Sequence, residues 1–153
     1  MLARLVMTGA SFALALISAP TLAQYVPANL YECAGTNLSV TYSTTSFAGV
    51  PQITIEIDGV AISRRGDEIQ SQATVLGSLV TIVRKQIPDL YTDTLTLIAP
   101  DVNLKAKGAR VGFTTELFST RTNTTIAGPQ QVLGLIQQST SKRLYCAATA
   151  VDF

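Results

Sequence analysis

Ile53-Thr54-Ile55-Glu56-Ile57-Asp58-Gly59-Val60-Ala61-Ile62 alternates apolar with polar residues, breaks once and resumes. A period of two puts Ile53, Ile55 and Ile57 on one face of an extended chain and Thr54, Glu56 and Asp58 on the other. The break, Asp58-Gly59, is the dipeptide that best tolerates positive φ at both centres of a type I′ turn. The stretch therefore predicts an antiparallel hairpin with one buried and one wet face.

The same alternation recurs on both sides of this hairpin. Leu38, Val40 and Tyr42 alternate with Ser39, Thr41 and Ser43. Downstream, a long strand is expected from Ser78 to Ile87 and a neighbour from Thr92 to Ile98, stopped by Pro100. Pro88-Asp89-Leu90-Tyr91 suits the turn between them, because proline fixes φ and aspartate caps its own backbone. Strands from Arg110 to Thr120, Gln131 to Gln138 and Lys142 to Val151 are punctuated by Gly108, Gly128-Pro129 and Ser139-Thr140-Ser141. No helical stripe is sustained beyond the first residues, so the fold class is all-β, a single antiparallel β-sandwich or β-barrel domain. Periodicity does not reveal shear, and the two architectures stay open as alternatives.

The N-terminus has a different character. Arg4 precedes an apolar run from Leu5 to Ala19, and Thr21-Leu22-Ala23 supplies the small residues a signal peptidase requires. The run is shorter than the ~20 residues that span a bilayer, and Thr8, Gly9 and Ser11 dilute it. Residues 1–23 read as a cleaved signal peptide and 24–153 as the mature domain, starting at Gln24 and secreted or periplasmic without a stable membrane anchor. In that compartment an even cysteine pair is expected to be oxidised. Cys33 and Cys146 would staple the first strand to the last, worth about 4–5 kcal/mol in a chain-entropy treatment.

Charge and composition narrow the chemistry. The 11 basic residues fall to ten once Arg4 is removed, against 10 acidic ones, so no basic field is available for nucleic acid. The chain has no histidine, which excludes Ser-His-Asp triads, Cys-His pairs and imidazole metal sites. Asp67, Glu68 and Glu116, with Asp89 and Asp93, are the carboxylates from which a hydrolase would have to be built. Neighbours in a strand face opposite ways, so Asp67 and Glu68 do not converge there, and the other acids read as turn residues. Asp89, Asp93 and Asp101 match no EF-hand spacing and are likewise expected to be solvated turn acids. No catalytic residue, metal or cofactor is expected.

Lys105, Lys107 and Arg110 around Gly108 form a small basic loop, expected as a hairpin tip that protects a strand edge or meets an acidic partner or anionic glycan. Arg65-Gly66-Asp67 spells an integrin-type tripeptide but has the composition of any tight surface turn. Asn37-Leu38-Ser39 and Asn123-Thr124-Thr125 satisfy the N-glycosylation pattern.

Tyr31, Cys33 and Gly35 form Tyr-x-Cys-x-Gly ahead of the alternating strand carrying Val40 and Tyr42, with Cys146 late in the chain. This layout resembles the periplasmic C-type lysozyme inhibitor family. The resemblance implies a small β-barrel with a Cys33–Cys146 disulfide that inserts a loop into the lysozyme cleft. The chain departs from that family in having no Ser-Gly-x-x-Tyr loop and no tryptophan, so no inhibitory residue transfers.

The residues together point to an exported, non-enzymatic β-domain that binds a protein or glycan partner through surface loops. The alternatives are a carrier of a small apolar ligand, with Ile53, Ile55, Leu79, Ile82, Leu95 and Leu97 lining a lumen, a lysozyme inhibitor, and a carboxylate hydrolase.

Overall fold

The computed structural model describes residues 25–86, 91–125 and 134–152. The expected signal peptide, Gln24, Ile87, the Pro88-Asp89-Leu90 turn with its carboxylate, and the Gly128-Pro129 break lie outside the described residues. The strands are β1 (Val26–Pro27), β2 (Leu30–Gly35), β3 (Leu38–Ser43), β4 (Gln52–Ile57), β5 (Val60–Arg65), β6 (Ile69–Thr74), β7 (Gly77–Gln86), β8 (Tyr91–Ala99), β9 (Asn103–Leu104), β10 (Arg110–Thr125) and β11 (Gly134–Thr149). A single 3-10 turn, Gly66–Glu68, is the helical element among the described residues.

Nine strands form one sheet in the order β5-β4-β3-β2-β11-β10-β8-β7-β6, and every neighbouring pair is antiparallel. Its edge strands, β5 and β6, are an even number of steps apart and therefore run in the same direction. They are also consecutive in the chain, separated by Gly66–Glu68 alone. One bent strand thus pairs with β4 through its first half and with β7 through its second, and the sheet curls into a nearly closed barrel. Gly66 takes φ 59° at the bend, a left-handed conformation in which glycine escapes the Cβ penalty, and its N–H donates to Pro51 O at 2.8 Å. The Arg65-Gly66-Asp67 tripeptide is the corner of the barrel. Across the seam, Arg64 Nη2 donates to Val83 O at 3.4 Å.

The Asp58-Gly59 hairpin forms as expected, with Ile57 opposite Val60 and φ values of 50° and 81°. Strand parity then defines the interior. Val40, Ile53, Ile55, Val80, Ile82, Leu97, Leu104 and Leu144 are fully buried and fill the barrel. Leu79 is not among them: it lies next to Val80, so the pleat turns it outward. The expected break at Ser139-Thr140-Ser141 is also absent. β10 and β11 pair without interruption along 16 residues each, and the ladder satisfies a polar backbone stretch that periodicity reads as a turn. β6 escapes sequence reading for the opposite reason, since Ile69 is its one buried residue and β7 holds the rest in register.

Cys33 and Cys146 lie directly opposite one another on β2 and β11 and form a disulfide between residues 113 apart in sequence. It ties the first strand of the large sheet to its last. The short β1–β9 pair caps the adjacent end of the barrel, where Leu104 is buried beside Ala28, Ala99 and Ala150. There Asn29 Nδ2 donates to Val151 O and Asn29 Oδ1 accepts from Val151 N, both at 2.7 Å. Tyr31 stacks on Tyr42 at 5.8 Å, meets Phe113 edge-on at 6.2 Å and donates its hydroxyl to Pro100 O at 3.0 Å. Burial, with a smaller contribution from the Asp101 carboxylate, pushes the Tyr31 phenol up to about 12. Burial also raises Tyr42, opposed by its hydrogen bond with Ser71.

Cys33→Ser is expected to lower the unfolding free energy by about 4 kcal/mol, read from the midpoint of chemical denaturation against the oxidised protein. Tyr31 generates a second expectation. Its phenol ionises at 10.0 when unfolded and at about 12 when folded, so the stability it contributes is complete below the lower value and lost as pH rises through the upper one. Tyr31→Phe should flatten the fall in stability across that alkaline window.

Candidate functional site

The end of the barrel opposite the β1–β9 cap is built from strands of unequal height. β2 to β5 are six residues each and turn back at Thr36-Asn37 and Asp58-Gly59. On the other side β7, β8, β10 and β11 have 10, 9, 16 and 16 residues and rise past those turns. The inner parity of these taller strands runs from apolar to charged: Val80, Ile82 and Arg84 on β7; Leu97, Leu95 and Asp93 on β8; Leu117, Ser119 and Arg121 on β10. The register aligns Arg84, Asp93 and Arg121 in one transverse row above the row of Ile82, Leu95 and Ser119.

Asp93 is buried, and Arg121 grips both of its oxygens, Nε to Oδ1 at 2.6 Å and Nη2 to Oδ2 at 3.0 Å. A bidentate guanidinium–carboxylate pair offsets the desolvation of the carboxylate and fixes the planes of both groups. Asp93 was expected in a solvated turn. Its place on the inner face of β8 overturns that expectation, because the barrel wall continues past Thr92 to Tyr91. Asp101 lies beyond the other end of β8, exposed, so Asp93 and Asp101 do not share a cation site. Among the described residues no cluster of His, Cys, Asp and Glu has the composition of a metal site.

Above the apolar layers the barrel opens into a cavity of about 380 Å³. Ile62, Leu95 and Leu117 form a buried floor, Ile57 and Val60 line the low wall, and Ser119 and Thr140 contribute hydroxyls. Arg84, Asp93, Arg121 and Lys142 stand on the tall wall, and Asp58 stands on the opposite lip. Of these, Leu95 alone belongs to the expected lumen. Ile53, Ile55, Ile82 and Leu97 are fully buried and belong to the core beneath the cavity and not to its lining. A larger and shallower groove of about 760 Å³ lies outside the barrel, where β11 leaves β2, and shares Asp58 and Lys142 with the mouth. The mouth is the better-formed site, because buried side chains enclose it from below.

The basic residues expected to act together are placed at the capped end, away from the mouth. β9 pairs with β1 and not with β10, so the loop carrying them is not a hairpin tip. Lys107 is bound to Asp152 at 2.6 Å and Arg110 to Glu32 at 3.3 Å, while Lys105 is exposed. Asp67 and Glu68 occupy the exposed barrel corner, and Glu116 lies on β10 across from Arg143, so these three carboxylates do not converge. Asn37 sits exposed in the β2–β3 turn with φ 51°, and the Asn123 backbone belongs to β10.

Sequence reading missed Arg84, Arg121 and Lys142. The signal was available in the parity of the strands: extending the inward series Val80, Ile82 by one step reaches Arg84, and extending Leu117, Ser119 reaches Arg121.

Arg121→Leu should lower the unfolding free energy by about 2 kcal/mol at neutral pH, less than for a fully buried pair because the guanidinium is 43% exposed. Adding Asp93→Leu should recover most of the loss, and denaturation of the two single variants and the double variant measures that coupling. Comparison with protein-family models, with curated proteins and with solved structures finds no match, so the cavity is interpreted from its own chemistry.

Proposed function

We propose that this chain is an exported, non-catalytic binding module whose recognition site is the mouth of its barrel. The observation that carries this reading is the half-enclosed cavity of about 380 Å³, floored by buried apolar side chains and walled on one side by ionised groups. Such a combination suits ligand capture, in which apolar contact gives affinity and a few placed polar groups give orientation. The lack of histidine and the separation of Asp67, Glu68 and Glu116 favour binding over turnover. The signal-like N-terminus and the cross-strand disulfide agree with export to an oxidising compartment.

Native and denaturing mass spectrometry of the protein recovered after export tests the proposal. The expected product starts at Gln24, is oxidised, and carries a non-covalent small molecule that denaturation releases. Thr140→Trp, a substitution at an exposed position on the mouth wall, should prevent retention without loss of fold. Retention unchanged in that variant would move the site elsewhere. A full-length, reduced cytosolic product would overturn export, and inhibition of lysozyme by the same preparation would replace ligand capture with the inhibitor role implied by Tyr31, Cys33 and Gly35.

A further inference from the structure

Resting on the reading of the mouth as a binding site, we infer that its ligand is an amphipathic monoanion, a carboxylate carrying a single aliphatic chain. The inference starts from a charge imbalance. Among the described residues, Arg84, Arg121 and Lys142 line the cavity with Asp58 and Asp93, leaving a surplus of one positive charge. The transverse row holds two guanidiniums and one carboxylate, and both oxygens of Asp93 are already engaged by Arg121. Arg84 is half-buried, stands across from Asp93 in the register, and has no ion pair among the described residues. Lys142 and Asp58 on the rim are likewise without ion pairs among the described residues.

A partly desolvated guanidinium with spare donors recognises a planar carboxylate in a fork geometry, and a second cation nearby adds attraction without fixing direction. The rest of the cavity asks for apolar matter. Ile62, Leu95 and Leu117 form the floor and Ile57 and Val60 the low wall facing the charged row. Val60, 53% exposed on the low wall, would lose that exposure to a bound chain. The volume lies near the lower end of the ~300–1,000 Å³ typical of ligand sites, which fits one unbranched chain better than a multi-ring or multi-chain lipid. The carboxylate therefore meets Arg84, with Lys142 adding positive charge from the β11 side of the same cavity, while the chain lies on the apolar lining.

Isothermal titration calorimetry of the purified, oxidised protein with decanoate, decanol and decylammonium, each below its micellar concentration, separates the contributions. Decanoate is expected to bind, decanol to bind roughly tenfold or more weakly, and decylammonium to give no measurable heat. Arg84→Gln and Lys142→Gln should each weaken decanoate roughly tenfold and leave decanol unchanged, while Lys105→Gln at the capped end changes neither. Equal binding of decanoate and decanol, unaltered in Arg84→Gln, would overturn anion recognition and leave the mouth as an apolar site. Binding of none of the three by folded protein would overturn the mouth as a small-molecule site and this inference with it.

Discussion

An open sheet of nine strands would leave two edges far apart, and in this molecule both edges belong to one bent strand of a nearly closed barrel. β5 completes the ladder of β4, the chain kinks at Gly66–Glu68, and β6 completes the ladder of β7. Everything else depends on that closure. It defines an inside, and with it the parity that separates buried Val80 and Ile82 from outward Leu79. A corner that runs straight would present β5 and β6 as two exposed edges and leave the core face of the sheet without an opposing wall.

Closure also turns unequal strand lengths into a functional asymmetry. A flat sheet with long and short strands has only a ragged edge, whereas a barrel with a low wall and a tall wall has a mouth. The inner faces of β7, β8 and β10 leave the apolar layers at Ile82, Leu95 and Ser119 and continue into Arg84, Asp93 and Arg121. Charged side chains occur on an inward face there because the opposing hairpins have already turned back and the space is no longer closed. Asp93 is the member that stays buried, and its bidentate guanidinium makes that position tolerable.

The two ends of the barrel consequently do different work. One end is sealed by the β1–β9 pair, the Asn29 clamp on Val151, the Tyr31–Tyr42–Phe113 aromatic group and, a little inside it, the Cys33–Cys146 bond. Two of its surface cations are paired, Lys107 with Asp152 and Arg110 with Glu32. The other end carries the cations Arg84 and Lys142, which have no ion pair among the described residues, above an apolar floor. Stability is concentrated where β2 meets β11 beside the β1–β9 pair, and recognition where the strands are free to differ in height.

Read alone, the chain determined the all-β class, the Asp58-Gly59 hairpin and most of the strands, because alternation and turn chemistry act between residues close in sequence, and it determined the pairing of Cys33 with Cys146 because it holds two cysteines. It did not separate barrel from sandwich, since closure depends on β5 and β6 meeting partners far along the chain. β6 was invisible because its residues carry one buried side chain, and Ser139-Thr140-Ser141 resembled a break because its ladder partners, Thr120, Ser119 and Phe118, are remote in sequence. The candidate site was hidden for the same reason. Arg84, Asp93 and Arg121 each look like an ordinary surface charge within their own strand. Only the register between β7, β8 and β10 places them in one row, and only the curvature of the barrel turns that row toward an apolar floor.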